Sequence, residues 1–185
     1  MAANPKLQDF NKLLEAGGLP ELGPGPRPGI LSHDELKQSL DKLLEHSSLP
    51  SVSRDLIRAV IFLWHDRLDP AHVIAQGIEN ADGSFVHGIV HRREPDYSNA
   101  AYWFRRVQGH PCYPRLADRV KEKLAAPNAL KEELLPRGEW DPFAFIRLCE
   151  KAAKRPTNDP QVELLRHVQG VETEVLLEHF LKTEN

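Results

Sequence analysis

Apolar residues recur three and four positions apart along most of the 185-residue chain. The clearest stripe lies just before the histidine-rich middle of the chain and consists of Leu56, Ile57, Val60, Ile61 and Trp64. Residues at these spacings share one face of an α-helix, and further stripes follow towards the C-terminus. The alternation of apolar and polar residues that is typical of half-buried strands is nearly absent. The pattern predicts an all-α protein of roughly eight to ten helices, folded as a single compact multi-helix domain.

Capping side chains indicate where several of these helices begin. Ser32 followed by Glu35 forms the S-x-x-E capping box. The dipeptide Asp-Pro occurs at residues 69–70, 141–142 and 159–160. Its aspartate accepts free amide protons of a first helical turn, and its proline is tolerated at the first helical position. We expect a helix to begin at each of these places.

The N-terminal part of the chain is richer in proline and glycine than the rest. A short helix is predicted from Asn4 to Gly17, and the segment LPELGPGPRPG follows at residues 19–29 with four prolines. Proline lacks an amide donor and fixes φ, so this segment is neither helix nor central strand. We expect an extended arm on the surface or a semi-rigid linker, more mobile than its flanks. The predicted division is an N-terminal helix and Pro/Gly-rich arm over residues 1–31 and a helical domain over residues 32–185.

Composition narrows the class of protein. Hydrophobic residues make up 41% of the chain and charged residues 28%, with a net charge of −3, as in soluble globular proteins. A slightly acidic chain does not favour nucleic-acid binding. No apolar run approaches the ~18 residues that span a bilayer, and no basic start with an apolar region indicates a signal peptide. Because Cys112 and Cys149 are the only cysteines, we expect reduced thiols and a cytoplasmic protein.

Histidines are concentrated in the middle of the chain, where five of the nine lie between residues 65 and 110. Ser84 is predicted to cap a short helix that carries His87 and His91, and this spacing of four places both imidazoles on one helix face. Such a pair suits one metal ion, which needs further N, S or O ligands. The candidate ligands are His65, Asp66, His72, His87 and His91. Histidine with carboxylate suits zinc, iron, manganese or nickel.

The structural alternative for these histidines is that they cap helix ends and bond to backbone or carboxylate groups within the core. In either case we expect His87 and His91 to point inward, towards the helix ends that carry the other candidates, because their helix is otherwise apolar. Arg92 or Arg93 is then expected at the rim of the site.

Two Arg-Arg pairs and an aromatic pair lie in the same region. The candidate ligand-binding residues are Arg92, Arg93, Glu94, Tyr102, Trp103, Arg105 and Arg106. Four guanidinium groups within a short span suit a carboxylate or phosphate held bidentately, and the two aromatic rings suit a planar ligand. The alternative is that the arginines pair with carboxylates on solvent-facing helices and that the aromatic residues belong to the core.

One further pair of reactive residues is Cys112 with His110, as nucleophile and base. Residues two apart in a loop rarely hold that geometry, and no oxyanion-stabilising device is visible.

The segment HRREPDYSNAAYWFRRV resembles one found in uncharacterised proteins of bacteria and fungi. The resemblance covers roughly residues 64–111 and implies no known activity. The dipeptide His65-Asp66 is also similar to that of the HD-domain phosphohydrolases, which are all-α proteins that bind metals through histidine and aspartate. Only this dipeptide matches that family's pattern, so the activity of the family is not carried over.

Two functional hypotheses follow from the sequence. The first is a pocket lined by histidine, aspartate and arginine, either in a metal-dependent enzyme or in a binder of a small anion. The second is a non-catalytic helical interaction module in which the same residues form a structural polar network.

Overall fold

Ten α-helices and two short 3-10 helices follow one another along residues 4–124 and 129–182, the part of the chain that the computed structural model describes. The α-helices are α1 (Asn11–Glu15), α2 (His33–Leu44), α3 (Ser51–Trp64), α4 (Leu68–Gln76), α5 (Ala81–Arg93), α6 (Tyr97–Val107), α7 (Cys112–Lys123), α8 (Ala129–Leu134), α9 (Pro142–Ala152) and α10 (Pro160–Phe180). The 3-10 helices are Leu7–Phe10 and Pro136–Gly138. Helix accounts for 69% of the described residues, which contain no strand, so the all-α prediction is confirmed. Within these residues, no helix is both long enough and apolar enough to cross a membrane.

Three of the five predicted helix starts are confirmed by their caps. Ser32 and Glu35 form the reciprocal capping box before α2. Asp141 and Asp159 each accept a backbone N–H in the first turn of α9 and α10, both at 2.8 Å. These bonds satisfy amide groups that have no partner within the helix, which is why the helices begin there.

The other two predicted starts are wrong by a few residues. Helix α4 begins at Leu68, so the Asp-Pro dipeptide lies within its first turn. Helix α5 begins at Ala81, because the Asn80 side chain caps it by accepting the Gly83 N–H at 2.8 Å. The predicted cap at Ser84 therefore lies inside the helix.

Helix α5 runs through the interior of a compact helical body. Every one of its residues from Gly83 to Arg93 is buried, and it packs against α3, α4 and α6. The apolar core around it draws on all the longer helices. A helix buried on every side must find partners for its polar residues inside the protein, and those partners determine where the polar clusters lie.

Gly88 allows α6 to approach α5 closely. A Cβ atom at this position would lie 2.7 Å from the Phe104 ring, which is shorter than any normal carbon–carbon contact. The absence of a side chain at residue 88 therefore sets the separation of the two helices. This separation brings the side chains of α6 onto the histidines of α5.

The Pro/Gly-rich segment at residues 19–29 contains no helix, as predicted. Side chains from the helical body hold its backbone: Arg166 donates to the carbonyls of Leu19 and Pro20, and Gln169 donates to that of Glu21 at 2.7 Å. These bonds attach the segment to α10.

Asp66 ties the same segment to the end of α3. Its carboxylate accepts hydrogen bonds from the Arg27 side chain at 2.7 Å and the Arg27 N–H at 2.9 Å, and it also pairs with Arg93. Asp66 has a left-handed φ of 56°, which turns the chain after the helix. A Cβ at Gly25, where φ is 77°, would lie 2.7 Å from the Asp66 carboxyl carbon. Only glycine fits there.

Arg92 and Glu172 form a second buried ion pair, which joins α5 to α10. The two side chains are 0% and 1% exposed. Arg92 donates to both carboxylate oxygens of Glu172 and to the Gln169 carbonyl oxygen, and its guanidinium lies 4.1 Å from the centre of the Phe145 ring. Removing one partner of such a pair leaves an uncompensated charge in the interior.

We therefore expect Glu172→Gln to lower the free energy of unfolding by about 3–5 kcal/mol, measured by urea denaturation. The control is Asp118→Asn, which removes an exposed ion pair with Lys121 and should change stability by less than about 1 kcal/mol. Equal effects of the two substitutions would show that the Arg92 charge is not isolated from water in the folded protein.

Candidate functional site

Three of the five predicted metal ligands come together at the junction of α4, α5 and α6. His72 lies on α4, and His87 and His91 lie one turn apart on α5. One ligating nitrogen from each ring lies within 4.8 Å of those of the other two. The Nε2 atoms of His72 and His87 are 2.9 Å apart. His87 and His91 are buried, whereas the His72 side chain is 29% exposed and opens the cluster to solvent.

Glu94 joins two of these rings through one carboxylate. Its oxygens lie 3.3 Å from Nδ1 of His72 and 3.0 Å from Nδ1 of His91. A carboxylate accepts hydrogen bonds, so both Nδ1 atoms carry protons and both Nε2 atoms present lone pairs. Carboxylates that hold metal-binding histidines orient them in the same way.

The remaining hydrogen bonds follow from these tautomers. His87 Nε2–H donates to His72 Nε2, and the Asn99 side-chain amide donates to His91 Nε2 at 3.1 Å. His87 Nδ1 has no hydrogen-bond partner among the described residues. If the His87 proton moves from Nε2 to Nδ1, all three rings present an Nε2 lone pair.

An aromatic and cationic wall from α6 covers the cluster. Trp103 stacks on His87 with ring centres 3.9 Å apart and an interplanar angle of 20°. The Arg106 guanidinium lies 5.4 Å from the centre of the Trp103 ring and 6.0 Å from that of Tyr102, which is exposed. Trp103 thus excludes water from one side of His87, and Arg106 places a positive charge beside the Trp103 ring.

Burial favours the neutral form of the two histidines on α5. It lowers the pKa of His87 from 6.5 to about 4, with a further lowering from the charges that His91 and His72 would carry when protonated. Burial also lowers the pKa of His91, and Glu94 offsets part of this effect. Neutral imidazole is the form that binds a metal ion.

His65 and Asp66 are not part of this cluster. His65 is fully buried, accepts the Leu31 N–H at Nδ1 over 3.2 Å and donates from Nε2 to the Leu13 carbonyl over 2.9 Å. It holds the N-terminal segment against the end of α3, where Asp66 binds Arg27. Both side chains use their donor and acceptor atoms in these bonds. For these two residues the structural alternative therefore holds, in which they bond to groups within the core and bind no metal.

The expectation that Arg92 or Arg93 lies at the rim is wrong. Both are buried, because each has an internal partner: Glu172 for Arg92, and Asp66 with the Gly23 carbonyl for Arg93.

The second arginine pair differs from the first, because Arg105 and Arg106 are both exposed. Arg106 is therefore the one of the four arginines that is both exposed and in contact with the ring stacked on His87. Asn99 was not among the predicted site residues, and its place one turn into α6 gives no sequence signal for a contact with His91.

In comparisons with protein-family models, curated proteins and solved structures, nothing matches this chain. The resemblance across residues 64–111 therefore stays a prediction. Function has to be inferred from the chemistry of the side chains.

The buried His65 makes stability depend on pH. Burial lowers its pKa from 6.5 to about 4. Between these values the unfolded chain binds a proton that the folded protein does not, so the free energy of unfolding falls as pH is lowered from 6.5 to 4. His65→Gln should remove on the order of 3 kcal/mol of this fall, measured by urea denaturation at several pH values.

The matched control is His46→Gln, because the His46 side chain is 76% exposed. It should leave the pH dependence of the wild-type protein unchanged. An unchanged acid slope in His65→Gln would show that folding does not lower the pKa of His65.

Proposed function

We propose that this chain binds a divalent transition-metal ion through His72, His87 and His91. The observation that carries the proposal is that three imidazoles converge and that Glu94 orients two of them. Ligands 2.0–2.1 Å from a tetrahedral ion are about 3.4 Å apart. The separations in the cluster, from 2.9 Å to at most 4.8 Å, bracket that value.

Three imidazoles favour zinc, iron or nickel over manganese, which prefers oxygen ligands. Three protein ligands also leave one coordination position open, as in catalytic rather than structural zinc sites. The open side is that of His72, whose side chain and that of Glu94 are each 29% exposed. Glu94 orients two of the three ligands from the Nδ1 side of their rings.

An ion at this position would act as a Lewis acid or activate a water molecule for reaction with a small anionic molecule. Arg106 and Tyr102 lie beside Trp103, which stacks on His87, and the exposed guanidinium suits a carboxylate or phosphate. Glu94 lies within reach of the opening as a proton acceptor. We therefore propose a metal-dependent enzyme, or a metal-dependent binder, for a small anion.

The second candidate is a non-catalytic helical module with a structural polar network. One observation favours it: the hydrogen bonds among His72, His87, His91 and Glu94 already pair nearly all of their polar atoms. In this alternative no ion binds, and the cluster fixes how α4 and α6 pack on α5.

Two broader features complete the proposal. We propose that residues 1–31 act as an arm that is bound to the helical domain through Arg27 and Asp66. We also propose that the protein works in the cytoplasm, since Cys112 and Cys149 are both free thiols.

Zinc titration tests the metal proposal. The purified protein, freed of metal by a chelator, should bind zinc and unfold at a higher temperature, because a ligand at 100 times its Kd stabilises the native state by about 2.7 kcal/mol. The variants His87→Ala, His91→Ala and His72→Ala should each lose one bound ion per chain, measured by elemental analysis after gel filtration.

His46→Ala serves as the control, because His46 is exposed and distant in sequence from the cluster. It should keep the zinc content of the wild-type protein. His72→Ala keeps the test informative if the two buried variants do not fold. Unchanged zinc content in all three cluster variants would overturn the metal proposal and favour the structural module.

A further inference from the structure

A second group of metal-ligating side chains lies at the other end of α5. His110 and Cys112 stand at the start of α7, His179 lies in the last turn of α10, and Asp82 lies in the first turn of α5. One ligating atom each of His110, Cys112 and His179 lies within 4.8 Å of the other two. These residues come from three helices that are far apart in sequence.

Asp82 orients both imidazoles of this group. Its Oδ1 atom lies 2.9 Å from Nε2 of His110 and 3.0 Å from Nε2 of His179. A carboxylate accepts, so both Nε2 atoms donate and the lone pairs lie on Nδ1. Burial would raise the pKa of Asp82, but the hydrogen bonds from His110 and His179 more than offset it and hold the pKa well below its usual range. Asp82 is therefore an anion that fixes both rings.

This group resembles the three-histidine cluster, because in both a carboxylate binds two imidazole rings. The ring nitrogen that the carboxylate binds is different. There Glu94 holds two rings by Nδ1, and here Asp82 holds two rings by Nε2. His110 Nδ1 accepts only a long hydrogen bond, 3.2 Å, from the Cys112 N–H among the described residues.

Cys112 does not suit the role of a nucleophile. Its side chain is buried, and burial raises the pKa of the thiol to about 12. A catalytic cysteine needs a lowered pKa and access for its substrate. A buried thiol next to two oriented imidazoles is instead suited to an ion, which displaces the proton from sulfur when it binds.

We propose that His110, Cys112 and His179 form a second metal site, distinct from the three-histidine cluster, with Asp82 as the carboxylate that orients both imidazoles. One thiolate with two imidazoles is a donor set typical of zinc. Binding would deprotonate Cys112 and form a sulfur–metal bond, with the thiol proton released to solvent. The redox state of every atom stays unchanged.

The position of this site indicates a structural role. The ion would join α5, α7 and α10, and the group is closed on the α5 side by Phe85, whose ring centre lies 5.0 Å from that of His110. The His110 side chain is 1% exposed. An ion that joins three helices stabilises the fold, whereas an ion with an open position next to exposed side chains, as at the three-histidine cluster, supports catalysis. The chain would then hold one ion of each kind.

Cobalt(II) distinguishes the two sites, because a thiolate bound to cobalt produces sulfur-to-metal charge-transfer absorption in the near ultraviolet and imidazole does not. The reduced, metal-free protein is titrated with cobalt chloride in the presence of a phosphine reductant. We expect two ions per chain, with charge-transfer absorption from one of them. Cys112→Ala should lose the charge-transfer band and one ion, and should keep the visible bands of the three-histidine site.

The chain supplies a matched control in Cys149, the other buried thiol, which lies on α9. Cys149→Ala should keep the charge-transfer band at full intensity. Asp82→Asn should weaken cobalt binding at this site about 10–100-fold, as is typical when an orienting carboxylate is lost.

If Cys112→Ala does not fold, His179→Gln replaces it, since this side chain is 26% exposed, and the charge-transfer band should weaken and shift. No charge-transfer band in the wild-type protein overturns the second site, as does a band that survives in Cys112→Ala. His87→Ala leaves the thiolate site intact, so the charge-transfer band should persist in this variant while one ion is lost. If the ion count does not fall, the three-histidine proposal fails and the thiolate site is unaffected.

Discussion

The fold depends on one buried anion. The Asp66 carboxylate lies between the guanidinium groups of Arg27 and Arg93, and all three side chains are almost completely buried. A charge in the interior costs several kcal/mol unless opposite charges and hydrogen bonds surround it. The three partners come from the N-terminal segment, the turn after α3 and the end of α5. Satisfying this one carboxylate therefore fixes the relative positions of three parts of the chain, and with them the orientation of α5.

Helix α5 distributes its polar residues around its whole circumference. Arg93 faces the N-terminal segment, and Arg92 faces Glu172 on α10. His87 and His91 face α4 and α6. Because each direction has its own partner, the helix has no single apolar face. The polar side chains select its rotation and the apolar ones between them fill the core.

The sequence predicted the parts of this arrangement that local spacing determines. Helical stripes and caps located most helices, and the spacing of His87 and His91 correctly placed them on one face. The prediction that the adjacent His65 and Asp66 belong to the histidine cluster was wrong, because the left-handed turn at Asp66 directs the two side chains to different partners. The expectation of solvent exposure for Arg92 failed for another reason: its partner Glu172 is eighty residues away, and no local pattern reports such a pair.

The same separation has a consequence for biosynthesis. Arg92 leaves the ribosome long before Glu172 and Gln169, the residues that neutralise and bind it. Until α10 has been made, burying α5 would leave an uncompensated positive charge in the interior. The central helix and the histidines on it can therefore reach their final packing only after α10 has been synthesised. During synthesis the chain must remain open around α5, which makes the emerging domain a natural client for chaperones that protect exposed apolar surface.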